Sequence, residues 1–148
     1  MQGNDRKAEE VSKEKVAMKF DVVIMNPPYQ APQTNNGRRG GGSTLWDKFV
    51  HKSFASVSSK GYVVAIHPCG WRSPNGLYSN VRELLLAHEI KYLEMHDAKD
   101  GLKTFNASTR YDWYIAQKNG SVKKTLVKDE KGNVTSLDLS SMPFVPNT

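Results

Sequence analysis

Apolar residues gather into short runs along this chain, and the spacing inside the runs alternates between that of a strand and that of a helix. Residues 20–25 read Phe-Asp-Val-Val-Ile-Met, with three β-branched side chains in succession. That pattern predicts a strand buried on both faces of a parallel sheet. Residues 62–66 (Tyr-Val-Val-Ala-Ile) and 90–95 (Ile-Lys-Tyr-Leu-Glu-Met) predict two more strands. Helical spacing lies between them. Ser43 or Thr44 can cap a helix reaching about residue 57, with Leu45, Phe49 and either Ala55 or Phe54 facing inward. Residues 67–76, with Pro68 and Pro74, read as a loop, and residues 77–87 as a second helix burying Val81, Leu84 and Leu85. Alternating strands and helices imply parallel strands joined by crossover helices. After Arg110 the helical period vanishes. Strands are expected over 111–117, 124–128 and 134–139, the last two joined by the turn Asp129-Glu130-Lys131-Gly132-Asn133, a hairpin signal. The predicted fold is therefore α/β, a sheet with crossover helices that ends in antiparallel strands.

Two segments stand outside this pattern. Residues 1–18 are highly charged, rich in helix formers, and include the favourable i,i+4 pair Glu9 and Lys13, which predicts a surface helix. Residues 30–43 are depleted in apolar side chains and end in Gly40-Gly41-Gly42-Ser43, which predicts a mobile loop. There is no internal repeat.

Composition narrows the class. At 148 residues the chain is expected to form a single domain around one core. The single cysteine, Cys69, excludes an internal disulfide and suits a reducing, cytoplasmic setting. No signal-peptide pattern or membrane-spanning apolar run is present. The net charge of +6 is compatible with a polyanion such as DNA without requiring one. His51, His67, His88 and His96 show no paired ligand spacing, so no metal site is predicted. Cys69 and His67 are spaced poorly for a nucleophile and its base, and Trp46, Trp71 and Trp113 read as core or edge residues.

The first strand delivers Asn26-Pro27-Pro28-Tyr29 at its carboxyl end, where open α/β sheets bind ligands. Ordinary residue usage would produce this tetrapeptide in about one of every few thousand chains of this length. Its composition suits a planar amine. The exocyclic amine of adenine is a poor nucleophile because its lone pair is delocalised into the ring. Acceptors aimed at its two hydrogens draw that density back. The Asn26 side-chain oxygen and the Pro27 carbonyl are the candidates. Proline has no N–H to attract a competing partner, and it holds both its own φ and the preceding residue extended. The acceptors are then preorganised. Tyr29 offers a face on which a base can stack, and a base in a duplex must be flipped out to reach it.

With these residues the chain resembles a known family. FDVVIMNPPYQ, residues 20–30, is similar to the catalytic motif of adenine-specific DNA methyltransferases of restriction-modification systems. Leu45-Trp46-Asp47-Lys48-Phe49-Val50 resembles the helix after the catalytic loop, and Gly61-Tyr62-Val63-Val64-Ala65-Ile66-His67-Pro68 the next strand. Phe105-Asn106-Ala107-Ser108-Thr109-Arg110 stands where the family places an aromatic residue that sandwiches the flipped adenine with the motif tyrosine. The resemblance spans about residues 20–118. It implies a partial Rossmann-like methyltransferase sheet, catalysis by Asn26, Pro27, Pro28 and Tyr29, base stacking by Tyr29 and Phe105, and S-adenosylmethionine as methyl donor. Gln2-Gly3-Asn4-Asp5 is similar to the turn that contacts the cofactor's adenine, which assigns Asn4 and Asp5 to cofactor binding; a frayed terminus is the plainer reading.

The family's glycine loop and target-recognition region have no counterpart here, so the resemblance covers a substrate-side half. A further segment or second chain is expected to carry the rest, and cofactor binding by this chain alone is expected to be weak or absent. Arg38 and Arg39, among glycines, suit DNA phosphates as well as they suit a plain solvated loop. Two classes of function stay open: a methyltransferase acting on adenine in DNA, with RNA or a protein glutamine as other substrates of such motifs, and a non-catalytic remnant or nucleic-acid-binding module. Phe105 and the arginine-bearing loop favour a base in DNA.

Overall fold

The β-branched run does form a strand, β1 (Phe20–Met25). In a computed structural model of the protein, which describes residues 18–30 and 44–147, it is followed by α1 (Trp46–Ser56), β2 (Val57–Pro68), a 3₁₀ turn at Cys69–Arg72, α2 (Ser79–Ala87), β3 (Glu89–His96), α3 (Ala98–Phe105), β4 (Tyr111–Gln117), β5 (Lys124–Lys128) and β6 (Val134–Asp138). The expected surface helix, the assignments of Asn4 and Asp5, and the loop with Arg38 and Arg39 lie outside the described residues.

The six strands form one mixed sheet in the order β1-β2-β4-β3-β5-β6. β1 pairs parallel with β2 and β3 with β5, while β4 runs antiparallel between β2 and β3, and β6 antiparallel on β5. The expected co-directional strands are therefore present, but β4 is threaded between them rather than added at an end. Its residues explain the central place. Asp112, Tyr114 and Ala116 are buried on one face and the apolar Trp113 and Ile115 half-buried on the other, so both faces of the strand carry apolar side chains, as suits a strand with neighbours on both edges. Beside β1, Gly61 permits a close approach: a Cβ there would stand 2.7 Å from the Asp21 carbonyl oxygen.

β1 itself is not buried on both faces. Val23 and Met25 pack toward the core, whereas Phe20 and Val22 are each 49 % exposed and Ile24 is 77 % exposed. The reason is position. Among the described residues β1 is an edge strand with β2 as its one neighbour, and α1 and α2 lie on the opposite face, over Val57, Val63 and Ala65 of β2. The bare row continues inward as the half-buried Val64, Ile66, Trp113 and Ile115.

The helices also correct the expected facing. No side chain caps α1; its N-cap position is Leu45, and Thr44 instead makes a bridge with Gln30. Trp46, Val50, Ser53 and Phe54 turn inward, while Phe49 and Ala55 are exposed and Leu45 is only half-buried. Stacking sets this rotation, because the Trp46 ring lies 4.4 Å from the His67 ring at 18°. In α2, Val81 and Leu85 are buried as expected, but Arg82 is buried in place of Leu84. Its guanidinium donates to the carbonyls of Arg72 and Met142, which satisfies the charge inside. Trp46 and Trp71 are core residues and Trp113 is half-buried, as expected.

His67 sits fully inside the sheet–helix interface. Nδ1 donates to the Pro68 carbonyl at 2.9 Å, leaving Nε2 to accept from the Tyr114 hydroxyl at 3.1 Å. Burial pushes its pKa down to about 4. The folded state therefore binds fewer protons than the unfolded chain between pH 6.5 and about 4, so the contribution of His67 is present above that window and lost as pH falls through it. His67→Gln is expected to be less stable than the parent at pH 7, with the gap narrowing by about 2 kcal/mol at pH 4.5. Urea unfolding of both proteins at the two pH values measures this, and a gap independent of pH would exclude His67 as the titrating group.

Candidate active site

The four parallel strands end on a common edge, and the Asn-Pro-Pro-Tyr motif leaves β1 there. Asn26 and Pro28 are exposed and Pro27 is buried, so the side-chain amide stands open to solvent on an anchored turn. The turn is tied at its far side as well. Leu45 N–H donates to the Tyr29 carbonyl at 3.2 Å and Gln30 bridges Thr44, which closes the base of the intervening segment. The Tyr29 ring packs partly against the core, and its buried hydroxyl has no hydrogen-bond partner among the described residues. Burial raises its pKa, so it stays a neutral O–H.

Phe105 arrives at the same place from α3, an element the apolar pattern does not announce. Asp97 caps this helix by accepting from Asp100 N–H at 2.8 Å, and Asn106 ends it in the left-handed region at φ 55°. Gly101 faces the Thr109 carbonyl so closely that a Cβ has no room. The helix thus lies flat on the following loop and aims Phe105 at the motif. The Tyr29 and Phe105 rings meet edge to face, with centroids 6.1 Å apart at 66°. Phe105 in turn contacts the Tyr111 ring at 4.9 Å and 84°, and Tyr111 stacks on His96 at 4.5 Å and 1°.

Polar groups fasten this aromatic row. The Tyr111 hydroxyl donates to Asp100 Oδ2, and His96 Nδ1 lies 3.0 Å from the same oxygen. His96 Nε2 lies 3.2 Å from Glu94 Oε1 without hydrogen-bond alignment. Burial, reinforced by Asp100, pushes the Tyr111 hydroxyl up to about 12, while its hydrogen bond holds the Asp100 carboxyl below the usual range. Behind the edge, the Trp71 indole N–H donates to Asp112 Oδ2 at 3.0 Å, and Arg72 Nε lies 3.0 Å from that oxygen. Burial still pushes Asp112 up to about 6. Arg72 also donates to Asn147 Oδ1 at 2.8 Å, which straps the C-terminal segment over the 3₁₀ turn.

The motif and Phe105, far apart in sequence, are thus brought together. Tyr111, His96 and Asp100 join them without having stood out in the sequence; the spacing Asp97-Ala98-Lys99-Asp100 ahead of Asn106 was the one signal of their helix. Among the described residues no group of three His, Cys, Asp or Glu could hold a metal ion, and no helix is long and apolar enough to cross a membrane. Among the described residues, Asn26 and Pro27 place a side-chain oxygen and a backbone carbonyl at the carboxyl end of β1. A small depression lined by Leu86, His88, Ile90 and Lys123 lies at the amino ends of β3 and β5, the wrong edge for this chemistry.

Comparison with known proteins agrees with this layout. The chain is 31 % identical over 129 residues to an uncharacterized adenine-specific methylase of Mycoplasma pneumoniae, covering 83 % of this chain and 30 % of that protein, so it spans under a third of this relative's length. The type I restriction-modification methyltransferase subunit of Streptococcus thermophilus superposes with a TM-score of 0.54 at 20 % identity, over 87 % of this chain and 30 % of that one. A Listeria monocytogenes protein assigned to the class I S-adenosylmethionine-dependent methyltransferases superposes with a TM-score of 0.50 at 17 % identity, over 76 % of this chain and 37 % of that one. At such identities the two structures establish the fold alone. Residues 2–105 match the model of the Eco57I restriction-modification methylase family, and on that match the chain belongs to it.

Proposed function

We propose that this chain is the substrate-side half of a methyltransferase that acts on the exocyclic amine of adenine in DNA. One observation carries the reading: Asn26 and Pro27 stand at the carboxyl end of β1 beside the aromatic pair Tyr29 and Phe105. The Asn26 side-chain oxygen and the Pro27 carbonyl accept the two amine hydrogens, and the rings take the base. S-adenosylmethionine supplies the methyl group when bound; its anchor belongs to a partner segment or chain, with Asn4 and Asp5 as the only contacts proposed from this chain. Arg38 and Arg39 contact DNA phosphates.

The edge position of β1 supports the division. A partner that adds a strand along β1 and covers Val22 and Ile24 would complete both the sheet and its bare face. The relative of which this chain spans 30 % supports it too. The aromatic pair supports a nucleic-acid base over a protein amide.

The rings touch edge to face, so a base entering between them has to turn one of them. Tyr29→Ala or Phe105→Ala is expected to weaken binding of DNA with an unpaired target adenine by about 1–3 kcal/mol, with much less effect on fully paired DNA. Fluorescence of 2-aminopurine at the target position reports extrusion directly. An unchanged signal in both variants would remove these residues from the pocket.

A further inference from the structure

Burial does little to hold α3 in place. Of its eight residues only Gly101 is buried, and Leu102 is 54 % exposed. A helix this short does not persist alone, so the bearing of Phe105 depends on what ties α3 to the sheet. The ties converge on one carboxylate. Asp100 Oδ2 accepts from the Tyr111 hydroxyl and faces His96 Nδ1 at 3.0 Å, and Tyr111 and His96 are direct cross-strand partners on β4 and β3. Two neighbouring strands thus grip the same point of the helix. Tyr111 also touches the far end of α3, because its ring receives Phe105 on one side while His96 stacks flat on it.

We infer that Tyr111, with its hydroxyl on Asp100, its ring against Phe105 and His96 behind it, is the positioning residue that sets Phe105 against Tyr29. Its consequence for binding rests on the reading of Phe105 as a base-stacking residue; the anchoring of α3 does not. Tyr111→Phe removes the O–H and keeps the ring, and Asp100→Asn weakens the same link from the helix side. Both leave the core intact.

In the 148-residue chain, amide hydrogen exchange over 101–105 is expected to quicken by roughly tenfold or more in either variant, as for loss of a hydrogen bond to a charged group. Exchange at Leu93 and Tyr114 in the sheet stays unchanged. The nuclear Overhauser contact between the Phe105 and Tyr29 rings weakens in parallel. Exchange over α3 that matches the parent, or that quickens equally in the sheet, overturns the anchoring.

Binding of a duplex carrying unpaired 2-aminopurine supplies the second arm. Tyr111→Phe is expected to weaken it by about five- to tenfold, with no additional loss when combined with Phe105→Ala, because both act through one ring. An additive loss overturns the positioning role, since a general loss of stability behaves that way. Parent-like binding by Phe105→Ala alone overturns the base-stacking reading, while the exchange measurement still decides the anchoring.

Discussion

Asn26→Ala is expected to lower methyl transfer by about two or more orders of magnitude when this chain is assayed with the half that binds the cofactor, the scale for removing a preorganised electrostatic group. The amine attacks only as its hydrogens are polarised, and on the proposed reading the Asn26 oxygen and the Pro27 carbonyl are the two acceptors that polarise them. Alanine leaves the carbonyl and removes the side-chain acceptor. Stability should change by less than about 0.5 kcal/mol, because the Asn26 side chain is exposed and fills no part of the core. Asn26→Asp keeps an acceptor oxygen at the same position and is expected to retain more activity than alanine. Single-turnover rates with saturating DNA separate the chemical step from binding. Near-parent turnover by Asn26→Ala would exclude the assigned role.

The same exposure shows what can be read from sequence and what cannot. β1 was legible as a strand because three β-branched residues in succession suit a pleated backbone, yet its burial was not. Burial depends on what lies beside the strand, and Val22 and Ile24 face open space among the described residues. The rotation of α1 escaped by about one residue for a similar reason. Leu45 and Phe49 fit the helical period as well as Trp46 and Val50 do, and the choice is made by the stack of Trp46 on His67 from β2. Arg82 in the core depends on carbonyls of Arg72 and Met142, the latter 60 positions away.

α3 was hidden by its own composition. It is mostly polar, with a glycine at its centre that normally argues against a helix; here the glycine is required by the close approach of the Thr109 carbonyl. The motif was visible because its residues are adjacent in the chain. Tyr111, His96 and Asp100 come from β4, β3 and α3, and only the pairing of His96 with Tyr111 across the sheet brings them under Phe105. The place of β4 at the centre of the sheet was equally out of reach, since alternation marks a strand without saying which neighbours it takes.

On the proposed division, methyl transfer to adenine in DNA is expected to be undetectable with this chain alone and to appear when a polypeptide carrying the proposed cofactor-binding strand, glycine loop and helix is added. The reason is geometric. Transfer requires the sulfonium methyl in line with the amine at near-attack distance, and such positioning supplies several kcal/mol of the barrier. In the proposed site, Asn26, Pro27, Tyr29 and Phe105 would provide the acceptor side of that line. On the proposed division the anchor for the methionine end of the cofactor lies in the other half, so this chain alone would hold an amine to which nothing is delivered. Among the described residues one edge of β1 has no neighbouring strand and Val22 and Ile24 are exposed, and the added strand would pair and pack there. A charge at Ile24 should therefore block complementation while leaving this chain folded, because Ile24 is already 77 % exposed. Incorporation of tritiated methyl into DNA, measured for the chain alone, for the mixture, and for the mixture with Ile24→Lys, tests each step. Robust turnover by the chain alone would overturn the division of labour, and full complementation by Ile24→Lys would move the docking surface away from β1.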